Sequence, residues 1–128
     1  MEPNHKGSAM RLRTKVWIED DRGKVVFGDG RVRMLEAIDH LGSMNKAAKA
    51  LKMSYRGLWA RIKSTEDRIG AKLVNTRPGG GKGSGSILTP TGRRFLKNYK
   101  LLEDSVHQRA DKEFDKIFKD ARTNKNRK

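Results

Sequence analysis

Tyr55, Arg56, Trp59, Ala60 and Lys63 fall in one short segment at spacings of one, three and four residues. An arginine fork can pair with guanine O6 and N7, an aromatic ring can stack or pack, and an ammonium can meet a phosphate oxygen. That chemistry recognises polyanions and makes or breaks no bond. The surroundings agree: between His40 and Leu102 stand fourteen Lys and Arg residues against two acids, Glu66 and Asp67. A charge run by itself can be a plain solvated face, so its meaning depends on the elements that carry it.

The glycine-rich run Arg77-Pro78-Gly79-Gly80-Gly81-Lys82-Gly83-Ser84-Gly85-Ser86 holds two cations and no acid. A phosphate-cradling loop needs Ser or Thr directly after its Gly-Lys to meet magnesium, and here Gly83 follows Lys82. No frame of the run gives the spaced dinucleotide fingerprint opening a helix. A nucleotide cofactor is therefore not expected. Two readings of the run stay open, a DNA-touching wing and an idle connection.

Catalytic and metal-binding constellations are hard to find. His5, His40 and His107 lie far apart, and the adjacent acids Asp20-Asp21 and Glu103-Asp104 have the character of a turn and a helix surface. The absence of cysteine removes disulfides, thiolate metal sites and thiol nucleophiles together, and fits a cytoplasmic location. No enzyme activity, metal or cofactor is expected.

The elements that must position the basic segment are legible from periodicity. Leu12, Thr14, Val16 and Ile18 alternate with Arg13, Lys15 and Trp17, which predicts a strand. A turn at Asp20–Gly23 and a return strand over Lys24–Phe27 would complete a hairpin. Met34, Leu35, Ile38 and Leu41 recur at helical spacing and Gly42 ends that helix. Ser43 caps a second helix with Met44, Ala47, Ala48 and Leu51 inward and Lys46, Lys49 and Lys52 outward. Ser54 caps a third, with Leu58, Ile62 and Ile69 on one face. Two short helices joined by a turn, the second basic and aromatic outside, form a helix-turn-helix with its recognition helix. Leu73–Thr76 and Ile87–Thr89 read as short strands around the glycine run, where a winged helix-turn-helix carries its wing.

Leu88-Thr89-Pro90-Thr91-Gly92 opens a long helix, with threonine as cap and proline in the first turn. Phe95, Tyr99, Leu102, Val106, Ala110, Phe114 and Ile117 continue at spacings of three and four. So long a stripe exceeds what a small domain can cover, which predicts pairing with a second copy through Phe95, Tyr99, Leu102, Val106 and Phe114. A helix folded back across the first helix and the hairpin is the alternative.

At 128 residues with 34% apolar and 35% charged residues, one domain is expected, and the formal charge of +15 makes nucleic acid the first partner to consider. Residues 1–10 read as a loose N-terminus with no secretory character. Residues 11–118 read as the domain, with a dimerisation helix over about 90–118. The five bases among Lys119–Lys128 suggest a disordered tail. The fold class expected is α+β: a winged helix-turn-helix with an N-terminal β-hairpin and a long C-terminal helix. Rival functions for the same surface are an architectural DNA- or RNA-binding protein and a winged-helix protein-interaction module.

Taken together, Gly42-Ser43-Met44-Asn45-Lys46-Ala47-Ala48-Lys49, Met53-Ser54-Tyr55-Arg56-Gly57-Leu58-Trp59, Gly79-Gly80-Gly81-Lys82-Gly83-Ser84-Gly85 and Leu88-Thr89-Pro90-Thr91-Gly92 resemble the N-terminal DNA-binding domain of ModE-type molybdate-responsive transcription regulators. That domain is a relative of the LysR-type winged helix-turn-helix. The resemblance covers about Leu12 to Phe118. It implies a homodimer on an inverted-repeat operator, a recognition helix over Ser54–Lys63 and a wing over Arg77–Ser86. The residues so assigned to DNA are Ser43, Lys46, Ser54, Tyr55, Arg56, Trp59, Ala60, Lys63, Arg77 and Lys82. For Trp59 two placements stay open, facing DNA or packing under the wing. Full-length molybdate regulators carry oxyanion-binding domains after this one, whereas here a lysine-rich tail follows; a stand-alone regulator and a piece of a longer one both stay open, and this chain by itself is expected to bind no small effector.

Overall fold

The computed structural model describes residues 10–77 and 85–119, and capping residues set most of its element boundaries. In chain order these are β1 (Ile18–Glu19), β2 (Val25–Phe27), α1 (Asp29–Leu41), α2 (Met44–Ala50), α3 (Tyr55–Ile69), β3 (Val74–Arg77), β4 (Gly85–Leu88) and α4 (Pro90–Ile117). They divide into two units: Trp17–Leu101, and the described parts of Met1–Val16 together with Leu102–Lys128. The predicted loose N-terminus and basic tail lie outside the described residues apart from Met10 and Lys119. No helix among the described residues is long and apolar enough to cross a membrane.

The N-terminal hairpin is shorter than the alternation predicts. Leu12–Val16 forms no strand, and β1 pairs antiparallel with β2 over a few residues, with a register shift between Ile18 and Glu19. The physical reason is that the alternation has no buried face here: Leu12, Trp17 and Ile18 are all exposed. Burial falls instead on the return strand, where Val26 and Phe27 enter the core. The turn forms as expected, because Asp20 Oδ1 accepts the backbone N–H groups of Arg22 and Lys24. Those two bonds, that from Lys24 first, hold the Asp20 carboxyl below its ordinary pKa.

The helical stripes converge in the larger unit. Phe27, Leu35, Ile38, Ala47, Leu58 and Leu73 have no exposed surface, and Met44, Ala48 and Ile62 are buried with them. Gly42, with φ of 68°, closes α1 through its N–H to the Ile38 carbonyl. Ser43 Oγ then accepts Lys46 N at 3.1 Å and starts α2. The turn into α3 is a Schellman closure: Met53 N donates to Ala48 O at 3.0 Å and Lys52 N to Lys49 O at 3.1 Å. Lys52 thereby adopts φ of 58°, a left-handed conformation normally given to glycine. That conformation costs an L-residue roughly 1–2 kcal/mol, partly offset by the larger entropy glycine loses on folding. Lys52→Gly is expected to stabilise the fold by about 0.5–1 kcal/mol, read as a higher urea midpoint at unchanged slope. A lowered midpoint would contradict this account of the turn.

Ser54 Oγ accepts Gly57 N at 2.9 Å and starts α3, which Gly70 ends with φ of 73°. Strands β3 and β4 pair antiparallel from Val74 with Leu88 to Arg77 with Gly85. They sit slightly off the predicted spans, because Thr89 leaves the ladder to cap α4. Its hydroxyl accepts Gly92 N and donates to the Lys72 carbonyl, while its N–H donates to Leu73 O. Within the larger unit, Phe95 and Tyr99 pack on Phe27 with ring centroids 6.1 and 5.4 Å apart. Arg93 with Asp39, and Lys100 with Glu36, pair the same part of α4 with α1.

Candidate nucleic-acid interface

With about 3.6 residues per turn, Leu58, Ile62, Thr65 and Glu66 point α3 into the core, which turns Arg56, Ala60 and Lys63 to the opposite side. All three are exposed, as is Tyr55 at the start of the helix. The structure thus brings Arg56, Ala60 and Lys63 onto one presented face, while Tyr55 is exposed at the N-terminal end of the helix, nearer the azimuth of the buried stripe. Ser43 and Ser54 are occupied as caps, so their side chains fix the two helix starts, while Lys46 is exposed on α2. Arg77 is exposed at the end of β3. Lys82, predicted at the wing, lies outside the described residues.

Trp59 lies on the wing side of α3 and is neither fully packed nor fully free. It lines a shallow cleft with Met44, Ile62, Lys63, Val74 and Thr76, between α3 and the first wing strand. Its outer part remains 49% exposed. An indole so placed can brace the wing with one edge and offer the other to a ligand.

Glu66, one of the two acids in the basic stretch, has a positioning role that the sequence does not announce. It is buried, and its Oε2 accepts the backbone N–H groups of Leu73 at 2.8 Å and Val74 at 3.2 Å. A carboxylate on α3 thus holds the first residues of the wing by charge-assisted bonds. The readable signal was an acid one turn before the Gly70 helix stop, where the chain must reverse into a strand. Opposite, Ser86 N donates to the Gly42 carbonyl at 3.0 Å, which ties β4 to the turn between α1 and α2. Recognition helix, wing base and helix-turn-helix are therefore mutually fixed within one unit.

The expected exposure of Tyr99 on the long helix is corrected by the structure. Tyr99 is only 3% exposed and half-buried Phe95 shares its partner Phe27, so both spend their rings inside their own unit. Leu102 remains 43% exposed, and Val106 and Phe114 are half-buried. Past Tyr99, α4 has no buried residue.

Helix, turn, presented helix and two-stranded wing define a winged helix-turn-helix with a long C-terminal helix. Residues 30–93 match the family model described as bacterial regulatory helix-turn-helix protein, lysR family, and the chain belongs to that family. It is also similar to the molybdenum transport protein ModE of Azotobacter vinelandii, with 34% identity over 82% of this chain and 38% of that protein. The transcriptional regulator ModE of Haemophilus influenzae is 38% identical over 57% of this chain and 29% of that protein. The chain thus spans well under half the length of these relatives. Among solved structures, the CbnR DNA-binding domain in its DNA complex superposes with a TM-score of 0.50 at 21% identity, over 66% of this chain and 91% of that one, a likeness of fold.

Proposed function

We propose that this chain binds duplex DNA at preferred sequences, as a homodimer, and regulates transcription in the cytoplasm. The observation that carries this is the outward face of α3, where Arg56, Ala60 and Lys63 stand exposed together, with Tyr55 exposed at the helix start, on a helix anchored by its caps and by Glu66. The Escherichia coli relative, 33% identical over 66% of this chain, is named a DNA-binding transcriptional dual regulator. The molybdenum in the name of the Azotobacter vinelandii relative belongs to a protein much longer than the aligned segment, and it is not carried over here.

On this surface α3 lies in a major groove and reads base edges, while Lys46, Arg77 and Lys82 meet the phosphate backbone and fix register. Trp59 supports the wing and presents its free edge to the sugar-phosphate. The stretch of α4 beyond Tyr99, through Leu102, Val106 and Phe114, pairs with a second copy so that two recognition helices face successive half-sites.

Arg56→Ala tests the base-reading role. It is expected to weaken the preferred site by about 1–3 kcal/mol while leaving random duplex much less affected. Titration of both duplexes at one salt concentration reads the difference. Equal losses on both would reduce Arg56 to a phosphate contact.

A further inference from the structure

The flank of α3 that turns away from the wing carries Gly57, Arg61, Ser64 and Arg68, two small residues and two arginines. A third guanidinium joins them from α1. Arg31 Nε donates to Thr65 Oγ1 at 2.7 Å, and that hydroxyl in turn donates to the Arg61 carbonyl at 3.0 Å. Arg31 is therefore aimed by α3 itself, and no hydrogen bond engages its two terminal nitrogens among the described residues. Arg61 is exposed, with no hydrogen bond or ion pair from its side chain among the described residues. Arg68 is tethered through Nη1 to the Val25 carbonyl at 2.6 Å.

Three guanidinium groups this close repel one another. Partial burial, then the fields of Arg68 and Arg61, lower the pKa of Arg31, although it stays charged. Asp20 acts on Arg68 and Arg22, and its carboxylate is already engaged by two backbone N–H groups. Neither Arg31 nor Arg61 makes an ion pair among the described residues. Folding alone gives no reason to gather them, because like charges destabilise the compact state.

We propose that Arg31 and Arg61, steadied by Thr65 and Arg68, form a phosphate clamp on the DNA strand bordering the major groove on the side away from the wing. This rests on the DNA reading proposed above. A helix about as wide as the groove it occupies has both flanks beside sugar-phosphate. Trp59, Lys63 and the wing serve one flank. The arginine cluster serves the other, and Gly57 and Ser64 leave room for the backbone to approach. The surface is continuous with the base-reading face, since around the helix Ser64 and Gly57 lie between Ala60 and Arg61. That continuity favours DNA over an acidic protein segment as the occupant.

The test compares the full chain with Arg61→Gln and with the double variant Arg31→Gln, Arg61→Gln on a duplex carrying the preferred site, over a range of salt. Each phosphate contact contributes about 0.9 to the slope of log affinity against log salt. The slope is expected to fall by about one for Arg61→Gln and about two for the double variant, with the preferred sequence unchanged. Phosphate-ethylation interference should fade on one bordering strand and persist on the other. Arg61→Gln removes no hydrogen bond among the described residues, so it tests the clamp even if the double variant unfolds. A wild-type slope in Arg61→Gln, with interference intact on both strands, overturns the clamp and leaves the DNA reading standing. A wild-type chain that binds no duplex overturns both.

Discussion

Leu102→Lys combined with Val106→Lys is expected to convert the proposed dimer into monomers and to lower affinity for a two-half-site operator by roughly a hundredfold or more, because joining two half-sites raises effective concentration. The expectation comes from the burial profile of α4. Its buried residues, Gly92 and Tyr99, both lie in its first half, while the helix runs on to Ile117. Leu102, Val106, Ala110 and Phe114 continue at four-residue spacing with nothing burying them fully. A second copy would cover that stripe symmetrically. Lysine is the informative replacement: two added cations would strengthen attraction to DNA, so a loss of affinity reports lost dimerisation and not charge repulsion. Sedimentation at micromolar concentration should show a wild-type dimer and a variant monomer. A wild-type monomer at that concentration would contradict the interface.

The second large effect is one of stability. A Cβ built on Gly92 would stand 2.3 Å from the Leu73 carbonyl oxygen and 3.1 Å from its carbon, so backbone would have to move. The obstacle sits at a junction, since Leu73 N binds Glu66 Oε2 and Leu73 O accepts Thr89 N. Gly92→Ala is expected to cost about 2–3 kcal/mol, in the range of overpacked core positions, and to lower the melting temperature by roughly 10 °C. Gly30→Ala is the matched control: nothing lies within 4 Å of its Cβ position, and alanine is the better helix former in α1. It should be neutral or slightly stabilising. Equal destabilisation by the two would contradict the close approach of α4 to Leu73.

The helix-turn-helix was legible because its punctuation is chemical and local. Gly42, Ser43 and Ser54 act through their own backbone geometry or hydroxyl, and the structure puts each where its chemistry demands. The same holds for Thr89 and Pro90 at the start of α4. Long-range choices were less visible. The alternation over Leu12–Ile18 promised a strand, yet alternation does not supply a surface to bury against, and Phe27 took the core position. The stripe on α4 could not reveal which of its residues meet the same chain. Phe95 and Tyr99 face Phe27, a partner far away in sequence, and only folding discloses it. Glu66 was hidden for the same reason, since its partners are backbone groups that carry no sequence signature. The face of α3 that carries the candidate site was read correctly as exposed, because burial of Leu58 and Ile62 fixes the orientation of everything else on that helix.

Sequence-specific duplex binding is tested most directly by selecting bound sequences from a random duplex pool and then competing the winners against random DNA at rising salt. The account predicts enrichment of an inverted repeat whose half-sites lie about one helical turn, or a multiple of it, apart. That site should stay bound at salt that strips random DNA from the protein. A pool that shows no enrichment, or winners lost at the same salt as random duplex, would contradict a sequence-reading regulator.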